Sequence, residues 1–203
     1  ANLAVEEINK AGGIDGKKIK VISKDNKSDN GEASTISTNL ATQSKVNAIL
    51  GPATSGATAA AAPNANDAAV PLVTPSGTQD NLTYSKGKVQ DYIFRTTFQD
   101  SFQGKIIAKY ATDNLKAKKV ALYYDKSSDY AQGIADAFKK AYKGKITVED
   151  TFQAKDQDFQ AALTKFKNKD FDAIVIPGYY TETCLITKQA RDLGLTQPIL
   201  GPD

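Results

Sequence analysis

The sequence predicts an α/β chain made of two consecutive sets of strand–helix units, and three observations predict it. Short apolar runs with the character of buried strands alternate with segments whose apolar residues recur at helical spacing. The alternation breaks off near Thr97 to Gln103 and then starts afresh, which divides the chain into residues 1–97 and 98–203. Small polar and aromatic residues collect where the strands end: Ser55, Ser76, Gly77 and Thr78 in the first part, Tyr130, Tyr179 and Asp203 in the second. Ligands of open α/β sheets bind at the carboxyl ends of strands, so both parts offer loops to a common cleft.

Taken in order, Leu3, Ala4, Ile8 and Ala11 predict an opening helix that Gly12-Gly13 stops. KIKVISKD, residues 18–25, alternates as a half-exposed edge strand does, and a helix follows over about residues 31–44. Ala48-Ile49-Leu50 is a strand that ends at Gly51-Pro52, and the alanine-rich segment after Thr54-Ser55-Gly56 is a helix. Val70 to Val73 is the next buried strand, and Thr74-Pro75-Ser76-Gly77-Thr78 is its terminal loop. Right-handed crossovers make these two strands parallel, which sets their end loops side by side.

Residues 79–90 form a polar surface excursion before the strand at Tyr92 to Thr96. Phe102, Ile106, Ala108 or Lys109, and Tyr110 mark a helix, KVALYY a buried strand, and Tyr130, Ile134, Ala137, Phe138 and Ala141 the next helix. Ile146 to Phe152 is a strand, and Phe159, Ala162, Leu163 and Phe166 give a helical stripe. FDAIVIP reads as a central strand, Leu185, Ile186, Ala190 and Leu193 as a helix, and Pro198-Ile199-Leu200 as the last strand. Cys184 is expected to be a small buried residue of that helix.

Composition excludes several classes of function. Of 203 residues, 26 are basic and 23 acidic, and their even spread argues against a nucleic-acid surface. With one cysteine and no histidine, no internal disulfide, usual zinc site or Ser-His pair is available. Ser55 lies in ATSGA, which lacks the first glycine of a nucleophile elbow, so no catalytic residue is expected. The polar loop at residues 25–30 lacks the twelve-residue calcium pattern, and neither a metal nor another cofactor is expected.

The candidate binding groups are chemically complementary. Hydroxyls and backbone amides around Ser55, Ser76 and Thr78, beside a helix N-terminus, suit an anion. Tyrosine rings and the carboxylate of Asp203 suit a cation. A zwitterion of amino-acid size satisfies both.

Seven segments in sequence carry a resemblance: AVEEINKAGGIDGKKI, NAILGPATSGAT, VPLVTPSGT, YIFRTTFQDSFQG, VALYYDKSSDYAQG, DAIVIPGYY and QARDLGLTQPILGPD. Together they resemble the substrate-binding proteins of ABC importers for branched-chain amino acids, the leucine/isoleucine/valine-binding proteins. The resemblance implies the type I periplasmic-binding-protein fold, two Rossmann-like lobes that close on a ligand. It implies that Ser55, Ser76, Gly77 and Thr78 hold the ligand's carboxylate and amino group, with Ala53 and Thr54 at its side-chain end. It implies that Tyr130 and Tyr179 face the ligand from the second lobe and that Asp203 pairs with the α-ammonium. Asp203 stands where the best-known members have glutamate, so this acid reaches less far.

The same resemblance implies a monomeric, extracytoplasmic receptor, a periplasmic protein or cell-surface lipoprotein, that delivers leucine, isoleucine or valine to a permease. An amino-acid or amide sensor of the same fold is the alternative. Against the family pattern, the first strand and the closing elements of both lobes are expected to lie outside residues 1–203.

Overall fold

The computed structural model describes residues 1–203, apart from the side chain of Ser85. Its first parallel sheet joins β1 (Ile49–Leu50), β2 (Leu72–Thr74) and β5 (Ile93–Arg95) in the order β1-β2-β5. Its second joins β6 (Lys119–Asp125), β7 (Lys145–Phe152), β8 (Ala173–Val175) and β9 (Ile199–Leu200) in the order β7-β6-β8-β9. Between them in sequence, β3 (Tyr84–Ser85) and β4 (Lys88–Val89) form a short antiparallel hairpin within the polar excursion.

In the first lobe, α1 (Asn2–Lys10) opens the chain, and α2 (Asn30–Thr38) packs on α3 (Ser55–Asp67). Asp29 caps α2 by accepting from the Glu32 N–H, which engages one carboxylate of the polar 25–30 loop. Asp25 accepts from the Lys27 N–H in the same loop. Ala57, Ala61 and Ala65 of α3 are fully buried at a spacing of four, and small side chains there let α2 come close. The Ser37 hydroxyl reaches the Ala61 carbonyl at 3.0 Å across that contact. These helices and the sheet enclose Leu40, Ile49, Val70, Leu72 and Ile93.

The second sheet is covered on both faces, which explains its continuous apolar strands. α4 (Asp100–Asp113) and α5 (Asp129–Ala141) cover one face, over Val120, Leu122, Ala173 and Val175. α6 (Gln160–Lys167) and α7 (Tyr180–Asp192) cover the other, where Tyr123 meets Phe152 and Phe166 edge-on at 5.1 and 5.3 Å. Ser128 caps α5 through the Ala131 N–H, while Asp129 and the pair Lys139-Lys140 match the helix dipole at its two ends.

Three expectations need correction. Residues 18–25 form no ladder, because no described strand lies beside them and alternation alone does not make a strand. α4 turns Gly104, Ala108 and Ala111 inward and leaves Phe102, Ile106 and Tyr110 about half exposed. The reason is its approach to α5: a Cβ at Gly104 would lie 2.5 Å from Ala137 Cβ, so the helix surface with least bulk faces the neighbour. Cys184 is exposed, because α7 buries the Glu182, Ile186 and Ala190 stripe and residue 184 falls on another face.

Candidate functional site

The loops after β1 and β2 are neighbours because the strands pair in parallel, Ile49 with Leu72 and Leu50 with Val73. Their side chains then lock them together. Thr74 at the end of β2 donates its hydroxyl to Pro52 O at 2.8 Å and receives the Gly77 N–H at 2.9 Å. Thr58, one turn into α3, reaches Thr54 O at 2.8 Å and Thr74 Oγ1 at 3.2 Å. Ser76 donates to Ala53 O at 2.7 Å, and both residues lie at the exposed rim. From β5, Arg95 spreads its guanidinium over the carbonyls of Thr78, Gln79 and Asp80, as a planar fork of donors can.

Ser55 occupies a specific chemical position. Thr54 is the N-cap of α3 and makes no side-chain cap bond, so Ser55 is the first helical residue and the helix end is free of a capping side chain. Its Oγ accepts the N–H groups of Thr78 and Gln79 at 3.1 and 3.2 Å. A hydroxyl oxygen has two acceptor sites and one hydrogen, so the hydrogen remains to donate. The amides of Gly77, Thr78 and Gln79 are thus engaged within the protein, and the N-terminus of α3 carries the positive end of the local field. Thr78 is buried and its Oγ1 pairs with no protein group.

Across the cleft, Tyr130 in the first turn of α5 is 6% exposed and stacks on Tyr179, with centroids 5.1 Å apart and planes at 17°. Its hydroxyl donates toward Asp203 O and Oδ1 at 3.3 and 3.2 Å. Burial, then the Asp203 and Asp100 carboxylates, push the Tyr130 hydroxyl far above the usual phenol range, so it stays a donor. Tyr179 is the N-cap residue of α7. Burial raises its hydroxyl too, the Asp100 and Asp125 carboxylates add to this, and the Ser128 hydroxyl and the Ser55 backbone amide oppose it. Tyr179 therefore faces the start of α3 in the other lobe. Tyr180, next in sequence, is 80% exposed and stands outside the cleft.

The structure thus brings Ser55, Thr78, Tyr130, Tyr179 and Asp203 to one cleft, with Ser76, Gly77, Ala53 and Thr54 along the first-lobe edge. Motif reading missed Thr58, Thr74 and Arg95, which hold the first-lobe loops. Arg95, one of two arginines in a lysine-rich chain, was the legible signal. It also missed Asp100 and Gln103 at the start of α4. Asp100 is 1% exposed with neither carboxylate oxygen paired, and Gln103 accepts the Asp203 N–H at 3.2 Å. Behind Asp100 lies a cavity of about 600 Å³ between the Asp80–Thr83 turn, α4 and α5. None of the predicted binding residues lines it.

A model described as periplasmic binding protein matches residues 1–203. Among curated relatives, Leu/Ile/Val-binding protein homolog 3 of Brucella melitensis is 35% identical over 99% of this chain. The leucine-, isoleucine-, valine-, threonine-, and alanine-binding protein of Pseudomonas aeruginosa is 32% identical over 100% of it. The chain spans 54% of the length of each. Among solved structures, LivJ of Streptococcus pneumoniae, in complex with isoleucine, is 63% identical with a TM-score of 0.94, over 99% of this chain and 57% of LivJ. The leucine binding protein LivK of Thermotoga maritima is 33% identical with a TM-score of 0.89, over 97% of this chain and 56% of LivK.

Proposed function

Because the chain belongs to the periplasmic binding protein family, we propose that its protein captures a branched-chain amino acid between two lobes and hands it to an ABC importer permease. One observation carries this reading: a donor-rich site in one lobe faces tyrosines and a carboxylate in the other. Ser55 O–H and the start of α3 receive the ligand carboxylate, and the Thr78 hydroxyl stands beside them. Asp203 receives the α-ammonium, and Tyr130 and Tyr179 close over it. Ser76 and Gly77 belong to the edge that holds the ligand's carboxylate and amino group, and Ala53 and Thr54 meet the aliphatic side chain. The names of three relatives, each a leucine-, isoleucine- and valine-binding protein or its homolog, support a branched-chain amino acid as the ligand.

In this reading residues 1–97 form the first lobe and 98–203 the second. The protein is a monomeric receptor outside the cytoplasm, periplasmic or lipid-anchored, and performs no catalysis. Charge-assisted hydrogen bonds contribute about 1.5 to 3 kcal/mol each. A ligand that makes them in both lobes stabilises the closed arrangement by its differential affinity. The test is calorimetric titration of the full-length protein against the twenty amino acids. One-to-one binding of leucine, isoleucine or valine, with no other amino acid tighter, is the expected result. Absence of binding by any aliphatic amino acid would overturn the reading.

A further inference from the structure

Beside the cleft lies a group of buried polar atoms, most of which belong to none of the binding residues named above. Thr78, Gln79, Asp100 and Gln103 contribute five of the six buried side-chain polar atoms that pair with no protein group among the described residues. Two of the five are the oxygens of one carboxylate, Asp100, and only the Gln103 amide nitrogen is purely a donor. The Thr78 hydroxyl stands beside the Asp100 carboxyl, which still has acceptor capacity to spare, and because buried polar groups are normally satisfied the position suits a ligand rich in donors. The backbone fixes its place: Asp100 N donates to Thr78 O at 2.9 Å, which holds the first turn of α4 against the loop carrying Thr78. Gly133 of α5 closes the other side, since a Cβ there would lie 3.3 Å from Asp100 Oδ2.

We propose that Asp100 is a further ligand-binding residue, whose carboxylate meets the α-ammonium of the captured amino acid together with Asp203. The inference rests on the amino-acid reading above. An ammonium has three N–H donors, and Asp203, the Thr78 hydroxyl and Asp100 are three acceptors from three segments of the chain. The groups facing Asp100 are Thr78 and Asp80 beyond β2, Arg95 on β5, Asp203 after β9, and Tyr130 and Tyr179 of the second lobe. Lys105, Asp129, Asp136 and Lys140 stand around the cavity behind it.

Capture then has a proton balance. Burial raises the Asp100 carboxyl from 3.8 to about 6, the Asp80 and Asp203 carboxylates add to this, and the Thr78 hydroxyl and Arg95 oppose it. Below about pH 6 the free protein holds a neutral carboxylic acid at this position. When the ammonium arrives, the acid O–H bond breaks, the carboxylate accepts an N–H of the ligand, and the proton leaves to solvent through the cavity.

The experiment is titration of the full-length protein with leucine from pH 5 to 8, in buffer pairs of different ionisation enthalpy, for wild type and Asp100→Asn. For wild type we expect proton release that is small at pH 8, rises toward one per ligand below about pH 6, and a loss of affinity approaching tenfold per pH unit there. For Asp100→Asn we expect about tenfold or more weaker binding at pH 7.5 and no proton release. Wild-type binding without proton exchange at pH 5 to 6 overturns the inference, whether or not the variant folds. So does an Asp100→Asn protein that keeps the wild-type affinity and pH profile, the result if Asp100 contacts only water. No binding of leucine, isoleucine or valine at pH 7.5 would overturn the receptor reading itself, and the inference with it.

Discussion

In the first lobe, Ser55, Thr58, Thr74, Ser76 and Arg95 are each tied to the neighbouring loop by hydrogen bonds, several at 2.7 to 2.9 Å. In the second, Tyr130, Tyr179 and Asp203 are placed by one ring stack and by contacts of 3.2 to 3.3 Å. The lobes differ in their cores as well. The second sheet is buried on both faces by aromatic and aliphatic side chains, whereas Leu50 and Phe94 of the first sheet are 64% and 48% exposed. The polar network of one lobe is held by bonds within the protein, and a ligand meeting it would lose little to reorganisation. In the proposed reading the groups of the other lobe would gain partners from the ligand and so report its arrival.

If this division of labour is right, the largest loss comes from the ligand-dependent side. Asp203→Ala is expected to weaken amino-acid binding by about 1.5 to 3 kcal/mol, because the ammonium loses one of its charge-assisted hydrogen bonds. Titration calorimetry would show it, and a loss below tenfold would blur the contrast between the lobes.

Asp100→Asn sharpens the same contrast through the ligand-free state. A carboxyl raised from 3.8 to about 6 in the folded protein contributes stability below about pH 4, and that contribution is lost as pH rises through about 6. The variant is therefore expected to be about 2 kcal/mol more stable than wild type at pH 7 without ligand, with the difference shrinking toward pH 4. Urea unfolding at the two pH values measures it. Stability gained where binding is lost is the mark of a group kept for the ligand.

In the first lobe the expected penalty is structural. Ser55→Ala leaves the Thr78 and Gln79 amides without their acceptor and should destabilise the protein by about 1 to 2 kcal/mol even without ligand, as read by thermal unfolding. A variant with unchanged stability and lost binding would mean that this lobe is not preformed. The smallest effects separate the adjacent tyrosines. Tyr179→Phe should weaken binding by about 1 kcal/mol, and Tyr180→Ala by less than about 0.5 kcal/mol, in parallel titrations.

The alternation of apolar runs made the two sheets legible, because strands buried on both faces, such as KVALYY and DAIVIP, leave a continuous signature. The candidate site was legible where it follows strand ends, as with Ser55, Thr78 and Asp203, which the fold brings together. Asp100 was not, since it sits in the polar run TFQDSFQG, where no periodicity announces burial. It is enclosed only because the chain crosses there from one sheet to the other and two lobes meet around it. Tyr179 and Tyr180 look alike in sequence, and their positions, N-cap and first turn of α7, leave one stacked on Tyr130 at 37% exposure and the other 80% exposed. The helix of α4 was legible, but its inward face only at Ala108, because close packing on α5 selects Gly104, Ala108 and Ala111 over larger apolar residues.

The two amides that rest on Ser55 Oγ have a consequence for chemical discrimination. With both lone pairs taken, the serine ceases to be an amphoteric group and becomes a polarity filter. A carboxylate offers acceptors in every rotation about its axis, so it satisfies Ser55 and the start of α3 at once. The carboxamide of the same amino acid offers one acceptor and one NH₂, and the NH₂ finds no acceptor on Ser55, whose lone pairs are both taken. In the proposed reading, a hydroxyl usually tolerant of either partner would favour the free acid over its amide by the direction of a single hydrogen.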